Sequence, residues 1–293
     1  MTTNIVVWDI DKVWYPDIST TYCARGSTAD HKPYLKDFVE NKGWFTYDHV
    51  HQWEEATGRP INSIGALADM LTDFLYKMKS TVYAGVSDQD AKTRTIEGKQ
   101  ALLKGLTIGD VKRIADAVPY TDGLKEAIDG IYKSGIGQIG FSDGLGPFVA
   151  YHMRKQGVDV GGVVPAAVET AVGTEGWFDI STRYLLDHDQ TKLLGKTGPF
   201  KKSDAIFTHL SKNGYEPHQV TAIDDSGANV GTLAKIRDNG GIAIGFKPTK
   251  DHMPQFEAAK IPVMKGTDLR PFAELVTDPR KVREYCETWG LDV

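Results

Sequence analysis

Ile5-Val6-Val7-Trp8-Asp9-Ile10-Asp11 decides how the rest of the chain is read. Four apolar residues run together without polar alternation, three of them β-branched, and the run breaks off at two carboxylates spaced two residues apart. A strand covered on both faces shows this continuous pattern, whereas a half-exposed strand alternates. The stretch therefore predicts a central strand of a parallel sheet. In open α/β sheets, ligands collect beyond the carboxyl ends of the strands. Asp9 and Asp11 stand at such an end.

The same style returns from Tyr120 onward. Thr121-Asp122 is expected to cap a helix with an apolar face of Leu124, Ile128 and Ile131, stopped by Gly135. Strands are expected at 136–141, 220–223 and 242–246, and helices at 145–156, 203–213 and 230–237. The segment 160–168 is apolar again, and a final helix is expected over 279–289. Short apolar strands alternating with amphipathic helices predict an α/β fold, a mostly parallel sheet covered by helices. Between Trp14 and Pro119 the pattern differs. Ile64, Leu67, Ala68, Leu71, Leu75 and Met78 repeat at helical spacing, aromatic residues are dense before them, and no strand is evident. This stretch reads as a helical subdomain inserted after the first strand.

Polar residues punctuate the expected strand ends. Asp9-Ile10-Asp11 follows the first strand, Ser142-Asp143-Gly144 the second, and Asp224-Asp225-Ser226-Gly227 the third, while Lys201 and Lys202 precede the helix at 203. Singly, these are turn and cap residues. Together they suit phosphoryl transfer. A carboxylate can attack phosphorus. A second carboxylic acid can protonate the leaving oxygen and then activate water. A hydroxyl, backbone N–H groups and a lysine can neutralise the phosphoryl oxygens. Mg²⁺, a hard ion that prefers oxygen ligands, would offset the repulsion between clustered carboxylates and a phosphate dianion.

These stretches resemble the haloacid-dehalogenase (HAD) superfamily of phosphatases, in its phosphoserine-phosphatase-like branch. The similarity lies in Ile5 to Asp11, Gly140 to Gly144, Lys202-Ser203-Asp204-Ala205, Ile223 to Asn229, Gly241 to Pro248 and Asp268 to Phe272, in the family's order. It covers about residues 3–12 and 119–276. The resemblance implies a Rossmann-like parallel sheet, formed by 1–13 and 119–278, with a helical cap at 14–118 and a C-terminal helix within 279–293. It implies Asp9 as nucleophile, Asp11 as general acid/base, Lys202 or its neighbour Lys201 as the stabilising cation, and Ser142, Asp143 and Gly144 around the phosphoryl group. Asp9, Asp11, Asp225 and Asn229 are implied as holding Mg²⁺. Three positions depart from the family pattern. Val13 stands where a hydroxyl residue is usual, Asn229 where a carboxylate is common, and Asp224 where glycine is usual. An amide is a weaker Mg²⁺ ligand than a carboxylate, and Asp224 is placed to compensate.

Two rival readings remain. Gly140-Phe141-Ser142-Asp143-Gly144 spells the G-x-S-x-G of a serine-hydrolase elbow, with Asp225 and His252 following in the order a triad needs. Only one strand precedes it, and the reading leaves Asp9, Asp11 and Lys202 without roles. Val13 and Asn229 would also suit a fold that binds a phosphorylated ligand without turning it over. Gly135 to Gly140 matches G-x-G-x-x-G but lies within a strand, the wrong context for a dinucleotide loop. His188 between two aspartates reads as a polar turn, and Glu54, Glu55 and Arg59 as helix-surface charges.

Composition bounds the partners. The 293 residues carry 34 Lys+Arg against 39 Asp+Glu, a net charge of −5, which gives no basic surface for nucleic acid or anionic membrane. No uncharged run approaches the ~18 apolar residues of a membrane helix, and Met1 to Asp11 lacks the basic start of a signal peptide. Two cysteines, Cys23 and Cys286, form no CxxC, so a reducing, cytoplasmic setting is expected. The expected ligand is a small phosphate monoester, with phosphoserine the leading candidate. Nucleic acid and membrane are not expected partners.

Overall fold

The computed structural model describes residues 3–10, 12–15, 30–76, 82–103, 116–141 and 202–289. The chain divides into two compact units, one of Met1–Asp17, Val118–Asp179 and Lys196–Val293, the other of Ile18–Ala117 and Ile180–Gly195. The segments expected as a helix at 145–156 and as apolar chain at 160–168 lie outside the described residues.

The first unit is built on a sheet of β1 (Ile5–Asp9), β2 (Gly137–Phe141), β3 (Val220–Asp224), β4 (Ile242–Phe246) and β5 (Val263–Met264). Its order is β2-β1-β3-β4-β5, and every neighbouring pair is parallel. Parallel pairing puts all carboxyl ends on one edge. Asp9 is opposite Phe141 across one pair, and Asp224 is opposite Gly245 across another. All five residues of β1, β3 and β4 are buried, as continuous apolar runs require. β5 escapes sequence reading because two residues carry no period.

Each face of the sheet packs its own layer. On one face Ile5, Val7, Ile139, Ala222 and Ala243 meet α6 (Lys202–Lys212), α7 (Val230–Asp238) and α8 (Met253–Ala258) through Ile206, Leu210, Leu233, Ile236 and Phe256. On the other, Trp8 packs edge-on against Phe272 of α9 (Arg270–Thr277), with ring centroids 4.9 Å apart, and against Trp14 at 5.9 Å. A buried Trp needs a partner for its indole N–H. Trp8 Nε1 donates to Gln138 Oε1 at 3.0 Å, and Gln138 Nε2 donates to the Ile128 carbonyl of α5 (Leu124–Lys133) at 3.0 Å. The closing helix α10 (Pro279–Trp289) buries Val282, and its Tyr285 hydroxyl donates to the Ala243 carbonyl of β4 at 2.9 Å.

The start of α5 departs from expectation. Thr121 and Asp122 do not cap it; the N-cap is Gly123 at φ 72°, with no side-chain cap bond. Asp122 is engaged instead in a bridge to Asp268, and Leu269 N donates to its carbonyl at 2.9 Å. At Gly123 itself the backbone is left-handed and a β-carbon would stand 2.2 Å from Asp268 Oδ1, so glycine is what fits next. Gly135, at φ 74°, ends α5 as expected, and this pushes the start of β2 one residue later, to Gly137.

In the second unit the described elements are helical: α1 (Lys32–Lys36), continued by a π-helical turn at Asp37–Asn41, then α2 (Tyr47–Thr57), α3 (Ile64–Tyr76) and α4 (Asp88–Leu103). Ile64, Leu67, Ala68 and Leu71 of the predicted stripe are buried. Phe38, Trp44, Phe45 and Phe74 form an aromatic core, with Phe38 stacked on Trp44 at 5.1 Å. Thr46 caps α2, its Oγ1 accepting from His49 N while His49 Nδ1 accepts from Thr46 N. Glu54 accepts from Ile61 N at 2.7 Å, and Arg59 pairs with Asp69 at 2.6 Å. Among the described residues, no helix is long and apolar enough to cross a membrane.

Candidate active site

Asp9 is the last residue of β1 and Asp224 the last of β3, and these strands are neighbours. Asp225 follows directly. Strand pairing alone therefore brings three carboxylates to one point of the sheet edge. Their exposures are 5%, 5% and 3%, and one oxygen from each lies within 4.8 Å of the others. Buried carboxylates in such proximity repel, and the arrangement persists in proteins where a cation or donors offset the charge. An all-oxygen donor set of this kind fits a hard divalent ion such as Mg²⁺.

Backbone and side-chain donors shape the loop after β3. Ser226 N donates to Asp224 Oδ1 at 2.8 Å, and Asn229 Nδ2 donates to the same oxygen at 3.2 Å. Ser226 Oγ accepts from Ala228 N at 3.2 Å and closes a short 3₁₀ turn, Gly227–Asn229, that leads into α7. Gly227 lies directly beneath side chains of α8 and the residue before it. A β-carbon there would stand 1.9 Å from Gln255 Oε1 and 3.0 Å from His252 Cδ2, so only glycine fits with those side chains in place.

The expected site residues distribute as follows. Asp9 and Asp225 come together in the buried cluster, and Asn229 touches it through Asp224. Lys202 is the first residue of α6, the helix packed beside β1 and β3, but its side chain lies outside the described residues. Asp11, Ser142, Asp143, Gly144 and Lys201 also lie outside them. Asp224, weighed from sequence only as a compensating substitution, is a full member of the cluster. Its signal was available in the paired Asp-Asp at a strand end. His252 packs on Gly227, and Asp225 belongs to the carboxylate cluster.

No protein-family model matches the sequence, and no curated protein does. Solved structures match the fold across nearly the whole chain. A phosphoserine phosphatase captured as a phospho-aspartyl intermediate analogue has a TM-score of 0.51 and 16% identity, over 94% of this chain and 100% of that one. A HAD-family hydrolase from Salmonella enterica serovar Typhi has a TM-score of 0.54 and 14% identity, over 95% and 73%. A predicted phosphatase from Clostridium acetobutylicum has a TM-score of 0.50 and 12% identity, over 97% and 100%. The chain thus has the fold of the HAD-superfamily phosphatases, a Rossmann-like α/β architecture on a parallel sheet. Phosphoserine phosphatase is among the proteins that share it.

Proposed function

We propose that this protein is a Mg²⁺-dependent phosphomonoester hydrolase acting on a small phosphorylated metabolite, with a phosphoserine-like compound as the leading substrate. The observation that carries the reading is the buried cluster of Asp9, Asp224 and Asp225 at the carboxyl edge of a HAD-type sheet. Asp9, Asp224 and Asp225 would hold the ion, with Asn229 in support. The bound ion would supply positive charge against the phosphoryl oxygens and offset the carboxylates around them.

The chemistry itself falls to side chains. An Asp9 oxygen attacks phosphorus and the ester oxygen leaves, taking a proton from the carboxylic acid of Asp11. Asp11, now a carboxylate, removes a proton from water, which attacks the aspartyl phosphate and frees inorganic phosphate and the Asp9 carboxylate. Ser142, with the backbone of Asp143 and Gly144, and the Lys202 ammonium, or that of Lys201, neutralise the phosphoryl oxygens. The net charge of −5 and the two cysteines support a cytoplasmic enzyme of small-molecule substrates, without nucleic-acid or membrane partners.

The test is phosphate release from a panel of small monoesters that includes phosphoserine, with Mg²⁺, with EDTA, and with Asp9→Asn. Release that needs both the ion and Asp9 is the expected result. Normal turnover in Asp9→Asn would remove Asp9 as nucleophile. Aryl-ester hydrolysis that survives EDTA would transfer the assignment to Ser142. Silence on every substrate, with retained phosphate-ester binding, would point to a phospho-ligand-binding protein.

A further inference from the structure

β4 ends on the same edge of the sheet as β1 and β3, one strand beyond β3. Gly245 is opposite Asp224, so Lys247 lies two residues past that pair on the carboxyl side. Its backbone is left-handed, at φ 48°, although it carries a side chain and precedes Pro248. A β-carbon disfavours that region, and the residue before a proline favours extended backbone. Such conformations persist where their surroundings impose them, and they gather at ligand sites. The half-buried Lys247 has no carboxylate partner among the described residues; its ammonium rests over the Phe246 ring, 5.3 Å from the centroid. A lysine that served to offset Asp9, Asp224 and Asp225 would stand at ion-pair distance from them, and Lys247 does not. Two residues on, Thr249 Oγ1 is shut off from solvent and has no hydrogen-bond partner among the described residues. A buried hydroxyl is ordinarily bonded, so this is a second and separate sign of a missing acceptor. The loop sits beside the one after β3. His252 N donates to the Thr249 carbonyl at 2.9 Å, and the His252 side chain packs on Gly227.

We infer that Lys247 and Thr249 bind a second anionic group of the substrate, a carboxylate, apart from its phosphoryl group. The inference rests on the hydrolase reading above. An ammonium and a hydroxyl both donate, and a carboxylate accepts from both. The phosphoryl group meets Asp9 at the end of β1, and β4 is two strands away, about 10 Å at the usual strand spacing. A short phosphate ester places its carboxylate to one side of phosphorus, and the lysine arm spans the remainder. The substrate class thereby narrows to short phosphate monoesters that also carry a carboxylate.

The experiment uses a matched pair, O-phosphoserine and O-phosphoethanolamine, which differ by that carboxylate. kcat and KM are measured for each with Mg²⁺, on the full chain and its variants. The native protein is expected to prefer phosphoserine, with the preference residing in KM. Lys247→Met keeps an apolar stem over Phe246 without the charge. It should shrink the ratio of the two kcat/KM values by about 10-fold, the lower range for a hydrogen bond to a charged group. Thr249→Val should shrink it by about 5-fold. Lys247→Arg, which keeps the charge, should retain most of it. Melting curves accompany each variant. A role confined to holding the loop would lower the melting temperature and depress both esters alike, with the ratio unmoved. An unchanged ratio in Lys247→Met, or a native protein without preference for phosphoserine, overturns the inference and leaves the hydrolase reading standing. Release from neither ester, while other monoesters of the panel are hydrolysed, does the same. Release from no monoester overturns the hydrolase reading and this inference with it. Should Lys247→Met not fold, Lys247→Gln takes its place.

Discussion

Neutralising Asp9 should stabilise the metal-free protein while removing its response to Mg²⁺. Oxygens of Asp9, Asp224 and Asp225 lie within 4.8 Å of one another and all three residues are buried. At that separation each pair of unit charges repels by about 3.5 kcal/mol at an effective dielectric near 20. Asp9 belongs to two of the three pairs, so the gross relief in Asp9→Asn is about 7 kcal/mol. Lost polar contacts of Asp9 and ion or water penetration absorb most of it, leaving an expected gain of about 1–3 kcal/mol. For a chain of this size that is a rise in Tm of roughly 2–5 °C. Scanning calorimetry in EDTA measures it directly. On adding Mg²⁺ at tenfold its Kd, the native protein should gain about 1.4 kcal/mol by mass action, and Asp9→Asn nothing. An Asp9→Asn protein that melts below the native in EDTA, and gains as much from Mg²⁺, would refute the reasoning: the three carboxylates would then be stabilised by their protein contacts rather than awaiting a cation.

Two further outcomes follow from the first unit. Gly123→Ala forces a side chain into φ 72° and puts a methyl carbon 2.2 Å from Asp268 Oδ1 and 3.0 Å from Arg270 N. The combined strain should cost about 2–4 kcal/mol, read as a drop in the urea midpoint at unchanged m-value; a loss under ~0.5 kcal/mol would mean that the turn before α5 is not held as described. Burial, then the charge of Lys212, hold the His209 imidazole below its ordinary value of 6.5. Its charged form is thus disfavoured in the folded state, so stability should fall as pH drops through about 6.5 and level off once the ring is charged in both states. His209→Gln should flatten that decline between pH 7.5 and 5 in urea titrations; an identical decline in the variant would place its source elsewhere.

Much of the fold was legible because the decisive signals are local and strong. Ile5 to Trp8, Val220 to Ile223 and Ile242 to Phe246 are unbroken apolar runs at strand length, and burial on both faces leaves no other pattern open to them. Gly135 ends α5 because a left-handed residue is what helix closure requires. The misread element is instructive. Thr121-Asp122 has cap chemistry, but the backbone of Asp122 is claimed by Leu269 and Asp268, nearly 150 residues away in sequence. No local pattern announces a tertiary bridge of that kind. β5 was invisible for a different reason, since it is a two-residue strand, Val263 and Met264, paired with Gly245 and Phe246.

At the site, sequence supplied residue types and strand ends, and pairing supplied the rest. Asp9 and Asp224 are far apart in the chain and adjacent in space because β1 lies between β2 and β3 in a parallel sheet. What spacing alone did not show is which of the polar residues after β3 faces which. From the chain, Asp224 looked like a substitution for glycine and Asn229 like a weakened ligand. In the fold Asn229 Nδ2 donates to Asp224 Oδ1 at 3.2 Å, so the two side chains belong to one arrangement. A carboxylate introduced at 224 needs a donor nearby that carries no negative charge of its own, and an amide at 229 meets that need.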